Sequence, residues 1–209
     1  IYPAGLLREI FEACRAAGAW LMLDETYRDF LPEGQRPHDL LSVPGWEDNL
    51  ILLYSFSKSF CIPGHRLGAI TAGPKAVAEI AKVMDNLQIC APRAPQAAVA
   101  RAIPALKEWR NANRAEIANR ADTLRTVMGK LPDWTMDSIG AYFAFIRHPF
   151  PGTPSAEVAE KLAKQAGVVC IPGAYFGEGQ ENSLRFAFAN ADSQTIASLA
   201  DRLSAFTRC

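Results

Sequence analysis

Two short, unbroken apolar runs, each ending in polar groups, constrain this chain most. Residues 19–23 read Ala19, Trp20, Leu21, Met22 and Leu23 and stop at Asp24 and Glu25. Residues 50–54 read Leu50, Ile51, Leu52, Leu53 and Tyr54 and stop at Ser55, Phe56, Ser57 and Lys58. Runs of this length without polar alternation predict strands buried in an α/β sheet. Helical spacing precedes the first run, with Leu6, Leu7, Ile10, Phe11 and Cys14 over residues 4–17 and Gly18 as a stop. Ligands of open α/β sheets bind at the carboxyl ends of the strands. Asp24, Ser55, Ser57 and Lys58 are therefore candidates for a single pocket, although any one of them alone reads as ordinary loop polarity.

The rest of the pattern divides the chain. Residues 30–48, rich in Pro, Gly and polar groups, predict a loop. Residues 67–72 predict a third buried strand, ended by Gly73 and Pro74. Helices are expected over 75–89 and 95–103, the second stopped near Pro104. A long amphipathic helix fits 105–130, with Leu106, Trp109, Ile117, Leu124 and Met128 as candidate buried positions. Beyond it the expectations are a strand over 140–146, a helix over 154–166 starting at Pro154 and Ser155, and strands over 168–171 and 183–189. Asp192 then caps a last helix running to about 207. The fold class is α/β: the tail of a large sheet domain over 1–103, then over 104–209 a long linking helix and a small α+β C-terminal domain.

Charge excludes several partners. Twenty-two basic residues balance twenty-two acidic ones with no block of like sign, so neither nucleic acid nor an anionic membrane gains electrostatic support. No apolar run is long enough to span a bilayer, and no signal-peptide pattern is visible. Cys14, Cys61, Cys90, Cys170 and Cys209 are odd in number and scattered, which reads as free thiols of a cytoplasmic protein rather than disulfides or a zinc site. His38, His65 and His148 lack metal-ligand spacing. The chain opens at Ile1, Tyr2 and Pro3 directly into a helical pattern, and a preceding segment is expected.

Three linked motifs then stand together. They are Leu23, Asp24, Glu25, Tyr27 and Phe30; Ser55, Phe56, Ser57, Lys58, Ser59 and Phe60; and Pro63, Gly64, Arg66, Leu67 and Gly68. In order and spacing this set resembles the class I/II aminotransferases, enzymes of the fold-type I pyridoxal 5'-phosphate (PLP) architecture, and the resemblance runs through essentially the whole chain. It implies that residues 1–103 are the C-terminal part of the PLP-binding domain. It implies that Lys58 holds the cofactor aldehyde as a Schiff base and, when displaced, serves as the base at the substrate Cα. Asp24 would pair with the pyridine nitrogen, Glu25 being its neighbouring competitor, and Tyr27 would donate to the 3' oxygen. Ser55, Ser57 and Arg66 would hold the phosphate, with Ser59 a lesser candidate. Arg185, a lone cation between Leu184 and Phe186, would grip the substrate α-carboxylate; its alternative is a salt bridge to a buried carboxylate. Gly140 would let backbone approach the substrate, while His65 and Tyr175 read as structural.

The activity so implied is transfer of an amino group between an L-amino acid and a 2-oxo acid, in a homodimer with its site at the subunit interface. A β-lyase or decarboxylase of the same fold, or the sensor domain of a transcription regulator, uses the same constellation. No second arginine is clearly placed for a side-chain carboxylate, which favours a neutral or aromatic substrate. The family's phosphate-cradling loop, ring-stacking aromatic and Asn-Pro turn have no counterpart here and are expected upstream of Ile1.

Overall fold

Extended Pro3 starts helix α1, Ala4–Ala16, and Gly18 turns left-handed after it at φ 64°. The chain then enters strand β1, Leu21–Asp24, which pairs in parallel with β2, Leu50–Ser55. Strand β3, Gly68–Ala72, adds antiparallel to β2, giving the order β1-β2-β3. The computed structural model describes residues 2–206, and the chain divides into two units, residues 1–114 and residues 115–209. Three features expected from sequence lie outside the described residues: Ile1, Cys209 and the end of the last helix at 207.

In the first unit, alternate residues of a strand face opposite sides. Leu21, Leu23, Leu50 and Leu52 point one way and pack on Phe11 of α1 and on Leu40, Val43 and Trp46 of the long connection. Burying Leu50 and Leu52 contributes roughly 1.5–3 kcal/mol each, and the half-buried Leu21 and Leu23 contribute less. The other face is not covered by the described residues: Trp20, Met22 and Ile70 are 48%, 59% and 45% exposed. The expected burial thus holds for one face of β1 and β2, because an unbroken apolar run supplies two apolar faces and only one has a partner here, and it fails for β3, whose residues Gly68 to Thr71 are exposed. The connection is a loop as expected, tightened by 3-10 turns at Arg28–Phe30, Leu40–Ser42 and Trp46–Asp48. Helix α2, Phe56–Ser59, follows β2 directly. Helices α3, Pro74–Leu87, and α4, Arg93–Ala105, come after β3. Pro104 lies in the last turn of α4, and the helix ends near it as expected: the break falls at Leu106, at φ −100° and ψ 19°, and α5, Lys107–Met128, begins at once.

Leu106 and Trp109, expected inside, are 36% and 41% exposed in the first unit, whereas in the second unit Ala121, Leu124, Val127 and Met128 of α5 are buried. A strand not foreseen, β4, Thr135–Gly140, forms a hairpin with β5, Phe143–Arg147. The expected strand over 140–146 is therefore two strand ends and a turn, with Ala141 left-handed at φ 50°, as two-residue hairpin loops require. Helix α6, Ser155–Lys161, continues as a π-turn over Leu162–Ala166 and ends at left-handed Gly167. Of the strand expected over 168–171, only β6, Ile171–Pro172, pairs; Val168 is core and Val169 is 84% exposed. Strand β7, Ser183–Ala187, completes the sheet order β4-β5-β7-β6. The last helix is two, α7, Ser193–Ala197, and α8, Leu199–Ala205. Asp192 caps α7 as expected, its carboxylate accepting the Thr195 N–H at 2.7 Å. Ala144, Ile146, Leu184 and Phe186 face these helices and form the core with Leu124, Val158, Leu162, Ile196 and Leu203. Among the described residues no helix is long and apolar enough to cross a membrane.

Candidate active site

Strand register gathers the candidates of the first unit. Asp24, last in β1, lies opposite Leu53 of β2, and the Glu25 N–H donates to the Leu53 carbonyl at 2.8 Å. Because β1 and β2 are parallel, Asp24 and Ser55 leave the sheet at the same edge. Strand β3 runs the other way, so its entry is at this edge too: Gly68 pairs with Ser55, and the Phe56 N–H donates to the Leu67 carbonyl at 3.2 Å. Asp24, Tyr27, Ser55, Ser57, Lys58 and Arg66 are thus all within a few residues of one sheet edge. A Cβ on Gly68 would sit 3.0 Å from the Tyr54 carbonyl oxygen, a tight contact that glycine relieves where β3 approaches β2.

Asp24 is exposed and oriented. One of its carboxylate oxygens accepts both the Thr26 N–H, at 3.0 Å, and the Thr26 hydroxyl, at 2.6 Å, while the second takes no hydrogen bond from the described residues. Neighbouring Glu25 is buried and engaged: Arg28 donates to it at 2.9 Å, and His38 Nε2 lies 2.7 Å from its other oxygen, in contact but off the hydrogen-bonding line. Two carboxylates adjacent in sequence therefore have different fates, because a strand end turns one outward and one inward.

The Lys58 turn is anchored from behind. Ser55 caps α2 by accepting the Ser57 N–H at 3.3 Å. The Tyr54 hydroxyl donates to Asp29 and is within hydrogen-bond reach of Ser59, both largely shielded from water. Burial first, and the Asp29 bond second, push the Tyr54 hydroxyl up to about 12. Arg110 lies 3.5 Å from Asp29 and stacks over Phe60 at 4.9 Å. After the turn, Cys61 and Arg66 both adopt left-handed conformations, at φ 53° and 52°, which non-glycine residues rarely do. In that conformation Arg66 Nη1 donates to the Pro63 carbonyl at 2.8 Å, leaving other N–H groups of the fork exposed.

Arg185 and Gly140 belong to the second unit. Arg185 pairs with Phe145 and Ile171, and Gly140 with Phe143. Directly paired residues share a face, and Phe143 and Phe145 are two apart, so Arg185 and Gly140 lie on one side of the sheet, opposite the core. Among the described residues no carboxylate pairs with Arg185. Instead its guanidinium carbon lies 4.4 Å from the ring centres of both Phe143 and Phe176, and its Nε is buried without a partner. Thr26, Tyr54, Asp29, Phe143 and Phe176 were not singled out from sequence. Only the proximity of Thr26 to Asp24 offered a signal, a local turn of the Asx kind.

The sequence model of the family described as "Aminotransferase class I and II" matches residues 1–203. Aromatic-amino-acid aminotransferase 2 of Thermococcus litoralis is 27% identical over 187 residues, 88% of this chain and 48% of that protein. Aromatic aminotransferase ISS1 of Arabidopsis thaliana is 28% identical over 205 residues, 96% of this chain and 50% of that protein. A solved aromatic aminotransferase from Pyrococcus horikoshii has the same fold, with a TM-score of 0.82 at 24% identity over 97% of this chain and 55% of that one. The chain spans about half the length of these relatives.

Proposed function

Because this chain belongs to the aminotransferase class I and II family, we propose that the protein it represents moves an amino group between an L-amino acid and a 2-oxo acid, with PLP as cofactor. The observation that carries the reading is the convergence of Asp24, Ser55, Ser57, Lys58 and Arg66 at one sheet edge. The donor set fits PLP: an oriented carboxylate with one oxygen uncommitted, an amine, two hydroxyls and an arginine fork with exposed N–H groups. When bound, PLP supplies an electron sink for negative charge at the substrate Cα.

Each residue then has a defined task. Lys58 would hold the cofactor through its amine and would serve as the base that takes the proton from the substrate Cα. Asp24 keeps a proton on the pyridine nitrogen, with Thr26 fixing its direction. Tyr27 donates a hydrogen bond to the 3' oxygen. Arg66, with Ser55 and Ser57, binds the phosphate through charge-assisted and hydroxyl hydrogen bonds. Arg185 orients the substrate by its α-carboxylate, and Gly140 leaves room beside it. Residues 1–103 are then the C-terminal part of the PLP-binding domain, and residues 104–209 its linking helix and small domain. We assign the protein a cytoplasmic homodimer and an aromatic or other neutral amino acid as substrate. The two aromatic aminotransferases named above and the lack of a second arginine clearly placed for a side-chain carboxylate support that substrate class, while other relatives are named for LL-diaminopimelate and aspartate.

The test is nitrogen transfer by purified full-length protein loaded with PLP. A new amino acid and a new 2-oxo acid are expected in equal amounts. Release of ammonia, sulfide or carbon dioxide without a 2-oxo acid acceptor would overturn the assignment.

A further inference from the structure

We propose that Phe143 and Phe176 clamp Arg185 so that its site accepts a planar carboxylate and rejects a tetrahedral oxyanion. This rests on the reading of Arg185 as the carboxylate-binding residue. The chain reverses at the β4–β5 turn to start β5 at Phe143, and β5 pairs with β7 along its length. That register sets the Phe143 ring against the guanidinium, 4.4 Å from its carbon. The second ring comes from a different element. Phe176 ends the 3-10 turn Gly173–Phe176 after β6 and reaches the same carbon at 4.4 Å. Phe176 is itself held by Phe145, edge to face at 5.6 Å. Its turn is held by Gly173, where a Cβ would meet the Gln180 and Ser183 carbonyl oxygens at 2.4 and 2.5 Å.

Two rings this close to one guanidinium gain cation–π energy and also take up the space beside its plane. With Nε buried as well, the fork is left its terminal edge. A carboxylate meets that edge in plane through two parallel hydrogen bonds. A sulfonate or phosphonate carries a third oxygen out of the plane, toward a ring. Phe143 and Phe176 are thus positioning residues that set the selectivity of Arg185, without touching the reacting atoms.

The experiment is calorimetric binding to the PLP-loaded full-length protein of two probes of equal charge on one hydrocarbon, 3-phenylpropanoate and 2-phenylethanesulfonate. The unaltered protein should prefer the carboxylate by about tenfold or more. Phe176→Leu should cut that preference to about threefold or less by admitting the sulfonate, and Phe176→Tyr should restore it. Phe143→Leu gives the same readout from the sheet side should Phe176→Leu fold poorly. Arg185→Gln separates the two ideas. If it abolishes carboxylate binding while both leucine variants keep the full preference, the clamp is wrong and the carboxylate role of Arg185 stands. If Arg185→Gln binds both probes as the unaltered protein does, the carboxylate role fails and the clamp fails with it.

Discussion

Asp24 stands directly across the parallel β1–β2 pair from Leu53, two residues before Ser55 and the turn that carries Lys58. That register brings a carboxylate and an amine separated by the whole 3-10-turned connection to one sheet edge. Thr26 adds direction by binding a single oxygen of the carboxylate twice. We expect Asp24→Ala to lower kcat by about a hundredfold or more, the scale of losing a group placed against charge in a reacting site. Thr26→Val, which removes one hydrogen bond worth about 1 kcal/mol, should lower it only severalfold. Steady-state kinetics on the full-length protein separates these outcomes, and equal losses would mean that Thr26 does more than aim Asp24.

Gly173 is a packing prediction. Its φ is ordinary, but a methyl group there would press on two carbonyl oxygens, so backbone must shift. Gly173→Ala should destabilise by about 1–3 kcal/mol, the usual cost of overpacking, read by denaturant unfolding. Gly152, left-handed at φ 74° with open space where a methyl would sit, is the contrast: its alanine variant is strained by conformation and not by contact.

The cysteines should differ in reactivity. Burial pushes the Cys170 thiol up to about 12, so almost none of it is thiolate at pH 8. Cys61 and Cys90 are exposed. Alkylation followed by peptide mass analysis should label Cys61 and Cys90 first and reach Cys170 only on unfolding. Early labelling of Cys170 would mean that the segment after Gly167 opens readily.

His148 predicts a pH dependence. Burial lowers its pKa below the ordinary histidine value, with the Glu181 backbone carbonyl offsetting this only in part. The unfolded chain therefore binds a proton at a higher pH than the folded one does. Stability from this group is full above the unfolded value near 6.5 and declines as pH falls below it. Thermal unfolding at pH 5 and pH 7 should show a difference that shrinks in His148→Phe.

The first half of the site was legible because its chemistry sits in contiguous motifs at strand ends. Taken together, Asp24 after an apolar run and Lys58 between serines announced themselves through the family resemblance of their linked motifs, although either alone reads as ordinary loop polarity. The aromatic neighbours of Arg185 did not, since Phe143 and Phe176 meet it only through the β5–β7 register and the turn after β6. Strand β4 was missed because Thr135, Asp137 and Ser138 give it no apolar run, its inward side being carried by Met136 and Ile139 around a bulge. The burial of Trp109 and Leu106 was expected from helical period alone, which says that α5 has an apolar side but not which of its turns is covered.

The most direct test of the central claim is borohydride reduction of the full-length protein mixed with PLP, followed by peptide mapping. A pyridoxyl group on the peptide carrying Lys58, absent from Lys58→Ala, is the predicted result. Labelling of a different lysine with Lys58 untouched, or no stable label at all, would contradict the account.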